Sequence, residues 1–224
     1  MTQHGAYSII VYIRGGMRQQ LDDLLQQVVK DGVETNDIVP FKKITTIHFA
    51  RFVILDQCND VKGNLIPARL VFTTNYDMPL NRHLQQMISV AGSGLWRIFS
   101  LCEGFPGGDY NAAALETFLQ SRSSKAATFY AGVGYRGVQQ IHDEQMLRDA
   151  INDFADRNSP SLKNLSATAA RQQIIDFVHT APGLEWAQTP SPPPTVAWKL
   201  SFYGKLFLAI LLFLIFLPLI IPFV

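Results

Sequence analysis

The sequence predicts a small α+β domain followed by a single transmembrane helix. Three observations carry that expectation. Short β-branched and aromatic runs alternate with amphipathic helical stretches, a proline-rich spacer follows them, and the final nineteen residues lack any charge or hydrogen-bonding side chain. The chain therefore divides into an α+β domain with a helical extension at 1–183, a Pro-rich linker at 184–200 and a C-terminal anchor at 201–224.

Tyr7 to Ile13 is β-branched and aromatic and stops at Arg14-Gly15-Gly16, which reads as a first strand and its turn. Met17, Leu21, Leu24, Leu25, Val28 and Val29 then recur at helical spacing, with Gly32 as a C-terminal stop. Thr45–Leu55 and Ala68–Thr74 read as two strands joined by the turn-rich stretch 56–64, and they should pair antiparallel.

A second helix is expected near Pro79, with Leu80, Leu84, Met87, Ile88 and Ala91 on one face; a separate turn carries Leu95, Ile98 and Phe99. Asp77, before Met78-Pro79, reads as the N-cap of that helix. The loop 103–109 leads to a short helix at 112–120, and 126–133 supplies a fourth strand. The order βαββαβ is the ferredoxin-like split βαβ plan, with both helices on one face of a four-stranded sheet. Two further amphipathic helices, around Val138–Phe154 and Ala170–Val178, are additions to it.

The chain has 224 residues and a formal charge of +1. Setting aside Lys199 and Lys205 leaves 17 basic against 18 acidic residues, so the folded part offers no electrostatic footprint for nucleic acid. Cys58 and Cys102 are too few for a disulfide framework, and no cleaved signal peptide is visible. Both thiols are expected free, as small buried side chains in a reducing cytoplasm.

Leu206 to Val224 would span roughly 28 Å as a helix, near the thickness of a bilayer core. Trp198 and Tyr203 suit the headgroup level, and Lys199 and Lys205 put positive charge on the same side, which predicts a cytoplasmic N-terminal domain. Pro218 and Pro222 interrupt the last turns and leave a re-entrant helix as the alternative.

A sheet covered on one side leaves an open face, where a ligand or partner would sit. Strict alternation places His48, Ala50, Phe52 and Ile54 on one side of the second strand and Ile47, Phe49, Arg51, Val53 and Leu55 on the other. Both sides are largely apolar, so the strand should be covered twice. An isolated histidine reads first as a core or interface imidazole bonded to backbone. Gly132-Val133-Gly134-Tyr135-Arg136-Gly137 fits a dinucleotide-binding pattern, but no following strand ends in an acid to hold a ribose.

Ile47-His48-Phe49-Ala50-Arg51-Phe52, Thr73-Thr74-Asn75-Tyr76-Asp77 and Cys102-Glu103-Gly104-Phe105-Pro106 resemble motifs of a group of bacterial proteins of unknown function with ferredoxin-like domains. The likeness covers roughly residues 7 to 150. That group is distantly similar to the dimeric α+β barrel superfamily, which includes dye-decolorizing peroxidases and chlorite dismutases. The resemblance implies a haem or small organic ligand on the open face, with a His as iron ligand and an Asp or Arg handling peroxide. His48, Arg51 and Asp77 are the matching residue types. The peroxidases' Gly-x-x-Asp-Gly pattern is absent, and alternation sets His48 and Arg51 on opposite faces.

The sequence thus predicts a non-enzymatic, membrane-tethered module that self-associates or binds a partner through its open sheet face. A haem-dependent oxidoreductase of the dimeric barrel type is the alternative, and a lipid or quinone carrier at the membrane is the third.

Overall fold

The computed structural model of the protein describes residues 4–124, 136–189 and 195–220. The described residues form two compact units, one within 4–146 and one within 147–220. The fold is mixed α+β.

In the first unit, β1 (His4–Tyr12), β2 (Ile47–Leu55), β5 (Arg69–Asp77) and β6 (Ser123–Ser124) form an antiparallel sheet in the order β2-β5-β1-β6. β3 (Cys58–Asn59) and β4 (Leu65–Ile66) close a small hairpin between β2 and β5. Its turn is organised by Asp60, whose Oδ1 accepts the amides of Lys62 and Asn64, each at 2.8 Å. β1 and β5 each run three residues beyond the predicted strands, at the N-terminus of β1 and the C-terminus of β5, because their ladder continues to the pair His4–Asp77. The predicted strand at 126–133 lies outside the described residues.

Odd residues of β1 and even residues of β5 point the same way, so Tyr7, Ile9 and Val11 meet Leu70, Phe72 and Tyr76 in one apolar layer. Three helices cover it. α1 (Arg18–Lys30) contributes Leu21 and Val28, α2 (Leu80–Phe99) contributes Leu84, Met87, Leu95 and Ile98, and α3 (Ala112–Ser121) contributes Leu115, Phe118 and Leu119. Phe52 stacks on Phe72 with ring centroids 4.4 Å apart, and Phe72 meets Phe99 edge-on at 6.3 Å.

α2 is one helix through Phe99, where a separate turn carrying Leu95, Ile98 and Phe99 was expected; Gly92 and Gly94 lie inside it. These glycines serve packing. A Cβ on Gly94 would overlap the carbonyl of Ile38, which crosses the helix there, and one on Gly92 would overlap the hydroxyl of Tyr110. The crossing segment is tied together by Asn36, buried at 2% exposure. Its amide donates to the carbonyls of Gly32, Val33 and Val39, and its oxygen accepts from Ile38 N and Val39 N.

Asp77 is not the cap of α2. It ends β5, and the N-cap position belongs to Pro79. Cys102 is buried beside β1, where burial pushes its thiol up to about 12, but Cys58 is exposed on the hairpin instead of packed inside.

α4 (Val138–Arg157) begins in the first unit and ends in the second. The second unit adds α5 (Ser159–Leu162), α6 (Ala167–Thr180) and α7 (Val196–Ile220). Ser166 caps α6 by accepting from Ala169 N, and Phe154 stacks on Phe177 at 4.4 Å.

No helix among the described residues is long and apolar enough to cross a membrane, which overturns the single-pass anchor. α7 holds Lys199 and Lys205, which leaves 206–220 as its uncharged stretch among the described residues, about 22 Å against a hydrocarbon core of about 30 Å. The single-pass placement and its cytoplasmic sidedness fall with it; residues 221–224 of the expected lipid contact lie outside the described residues. Lys199 and Tyr203, expected at a headgroup layer, are exposed on α7; the side chains of Trp198 and Lys205 lie outside the described set.

Candidate functional site

The sheet face turned away from the helices carries the even residues of β1 and the odd residues of β5. Across three strands the register aligns Ile10 with Val71 and Val53, and Tyr12 with Arg69 and Leu55. Ile10, Tyr12, Val53 and Leu55 are exposed, and Phe49 is 75% exposed. β2 is therefore covered on one side only, where cover on both was expected.

At the other end of this face the register breaks. Ile47 pairs with Tyr76 and Phe49 with Asn75, so His48 is an extra residue in β2, a β-bulge. The bulge sets His48 on the same side as Phe49 and Arg51. The expected separation of His48 and Arg51 onto opposite faces is thus corrected, because alternation resets at the bulge.

His48 Nε2 lies 2.7 Å from Asp77 Oδ1. Its partner is a carboxylate, where a backbone group was expected. Asp77 sits directly across the ladder from His4, whose imidazole packs on that of His48 with centroids 4.2 Å apart. His4 Nε2 is 3.9 Å from the same Asp77 oxygen and 2.6 Å from the carbonyl of Arg136. Since a carbonyl only accepts, His4 Nε2 carries the proton of that bond.

Asp77 Oδ2 accepts the amide of Val138, the first residue of α4. The carboxylate thereby caps a helix, but one sixty-one residues away rather than its own neighbour. A negative charge at a helix N-terminus is favoured by the exposed amides there. The three side chains are 12%, 8% and 14% exposed for His4, His48 and Asp77, so most of the cluster is withdrawn from water.

Of the sequence-predicted residues, the structure brings His48 and Asp77 together and leaves Arg51 farther along the face, its Nε donating to Thr73 Oγ1 at 3.1 Å. His4 was missed. It lies ahead of the apolar alternation that marks β1, and only the ladder with β5 places it opposite Asp77. The ligand atoms of His4, His48 and Asp77 all lie within 4.8 Å of one another, a set able to hold a metal ion. The glycine-rich 132–137 pattern falls largely outside the described residues. A cavity of about 400 Å³ between α1 and the end of α2, lined by Gln20, Asp23, Gln27, Arg97 and Ser100, holds none of the predicted residues.

Fold and site together define a mixed α+β protein with an apolar open sheet face that ends in a histidine–carboxylate cluster. No protein-family model, curated protein or solved structure matches the chain.

Proposed function

We propose that the protein is a binding module whose open sheet face pairs with a second copy of the chain. The observation that carries this reading is the aligned, exposed apolar set Ile10, Tyr12, Phe49, Val53 and Leu55 around half-buried Val71. Contiguous exposed apolar surface of this kind marks interaction sites.

An aromatic side chain offers about 150–250 Å², so the exposed fractions leave roughly 500 Å² of apolar surface. Two such faces in contact bury roughly 1,000 Å², the area at which a specific interface becomes sustainable. A sheet-on-sheet contact also suits the geometry, since inner faces interdigitate about 10 Å apart. Arg51 and Arg69 form the polar part of the patch.

Sedimentation of the full chain at tens of micromolar tests the reading. A dimer that Val53→Lys and Phe49→Asp each convert to monomer supports it; a wild-type monomer overturns it. The same preparation mixed with haemin decides against the peroxidase-like alternative, unless a Soret band appears that His48→Ala removes.

A further inference from the structure

We infer that His4, His48 and Asp77 form a binding site for a first-row divalent transition metal of the zinc type. The inference is independent of pairing through the sheet face. It rests on three features of the cluster.

The donor set is two imidazoles and one carboxylate, which suits zinc and its borderline neighbours rather than the all-oxygen preference of calcium or magnesium. The spacing is close to what coordination demands. With bonds of about 2.0–2.1 Å, tetrahedral ligand atoms stand about 3.3 Å apart. Two edges of the triangle, 2.7 Å from His48 to Asp77 and 3.9 Å from His4 to Asp77, lie on either side of that value. Side-chain rotations of well under 1 Å on average would equalise them.

The supports are also in place. Val138 N holds the second oxygen of Asp77, leaving Oδ1 for the metal, and ligands oriented by such outer bonds bind more tightly. All three residues sit on paired strands, a rigid base for a site. Three protein ligands leave a fourth position open to water or a small anion.

Binding requires a defined rearrangement of protons. His48 Nε2 donates to Asp77 and His4 Nε2 donates to Arg136 O, so each reactive nitrogen bears hydrogen before the metal arrives. The metal takes both Nε2 positions, the hydrogens move through solvent to Nδ1, and the His4–Arg136 bond is broken. Metal loading therefore frees the backbone at Arg136, two residues ahead of α4.

The test uses the full chain carrying Cys58→Ser, which removes the exposed thiol as a competing ligand. Chelator-stripped protein is titrated with Zn²⁺ by calorimetry and with Co²⁺ by visible absorption. One Zn²⁺ per chain is expected, with Co²⁺ bands of a four- or five-coordinate nitrogen–oxygen site. His4→Gln, His48→Gln and Asp77→Asn should each weaken Zn²⁺ binding at least tenfold. Asp77→Asn keeps an oxygen for Val138 N, so circular dichroism should show it folded.

Nitrogen-detected NMR of wild-type histidines needs no variant. Two residues should move from the Nε2–H to the Nδ1–H form as Zn²⁺ is added. Absence of stoichiometric Zn²⁺ uptake, wild-type affinity in the His4 and His48 variants, or unchanged tautomers would each overturn the assignment.

Discussion

His83 lies flat on Tyr76, with ring centroids 4.5 Å apart and planes inclined by 9°. The imidazole is wholly buried, and its two nitrogens meet the hydroxyls of Thr46 at 2.8 Å and Thr74 at 2.9 Å. It thus joins α2, β5 and the segment entering β2 through neutral hydrogen bonds.

Burial lowers the His83 pKa to about 4 from its ordinary 6.5, with the charge of Asp77 opposing in part. The folded protein resists the proton that the unfolded chain accepts, so stability is full above pH 6.5 and falls as pH drops toward 4. Urea unfolding should show a loss on the order of 3 kcal/mol between pH 7 and pH 4 from this group. His83→Leu should flatten the profile in that window while lowering stability at pH 7.

Asn36→Ala should destabilise the protein by about 2–4 kcal/mol, since it leaves several buried backbone groups at 32–39 without their partner. Thermal melting checks this. Hydrogen exchange at the Ile38 and Val39 amides should accelerate.

Gly94→Ala should cost about 3 kcal/mol or more, because its new methyl displaces the Ile38 carbonyl, which is backbone and cannot rotate aside. Gly107→Ala, where an added methyl meets nothing, should leave the melting temperature nearly unchanged.

Tyr7→Phe should cost about 1–2 kcal/mol. Its hydroxyl donates to the Leu119 carbonyl at 2.7 Å in the core, and burial with the nearby Tyr76 holds the phenol well above its usual range. Denaturant titration should show a lower midpoint with an unchanged slope.

Asp77→Ala should loosen the first turn of α4 by about 1 kcal/mol, the worth of a helix cap, and speed exchange of the Val138 amide. Asp77→Asn should preserve much of that protection.

The helices and long strands were legible because their signals are local. Leu21, Leu24, Val28 and Leu84, Met87, Ala91 repeat with the helical period, and Tyr7–Ile13 shows the β-branched bias of a strand. The apolar end of the chain was legible as composition but not as a span, because Lys199 and Lys205 fall within α7 and interrupt its apolar run. His48 and Asp77 were visible as residue types, whereas their proximity depends on a bulge that alternation does not encode. His4, His83 and Asn36 owe their roles to partners far away or to loop backbone, and no periodic pattern marks such residues.

The single extra residue at the head of β2 acts as a shift of reading frame within the strand. Removing one residue between Thr46 and Phe49 would restore even pairing with β5 and leave one outward position where two now stand side by side. An imidazole and an aromatic ring could no longer both look outward there. The number of residues in this short stretch, as much as their identity, decides whether the protein has a histidine beside Asp77.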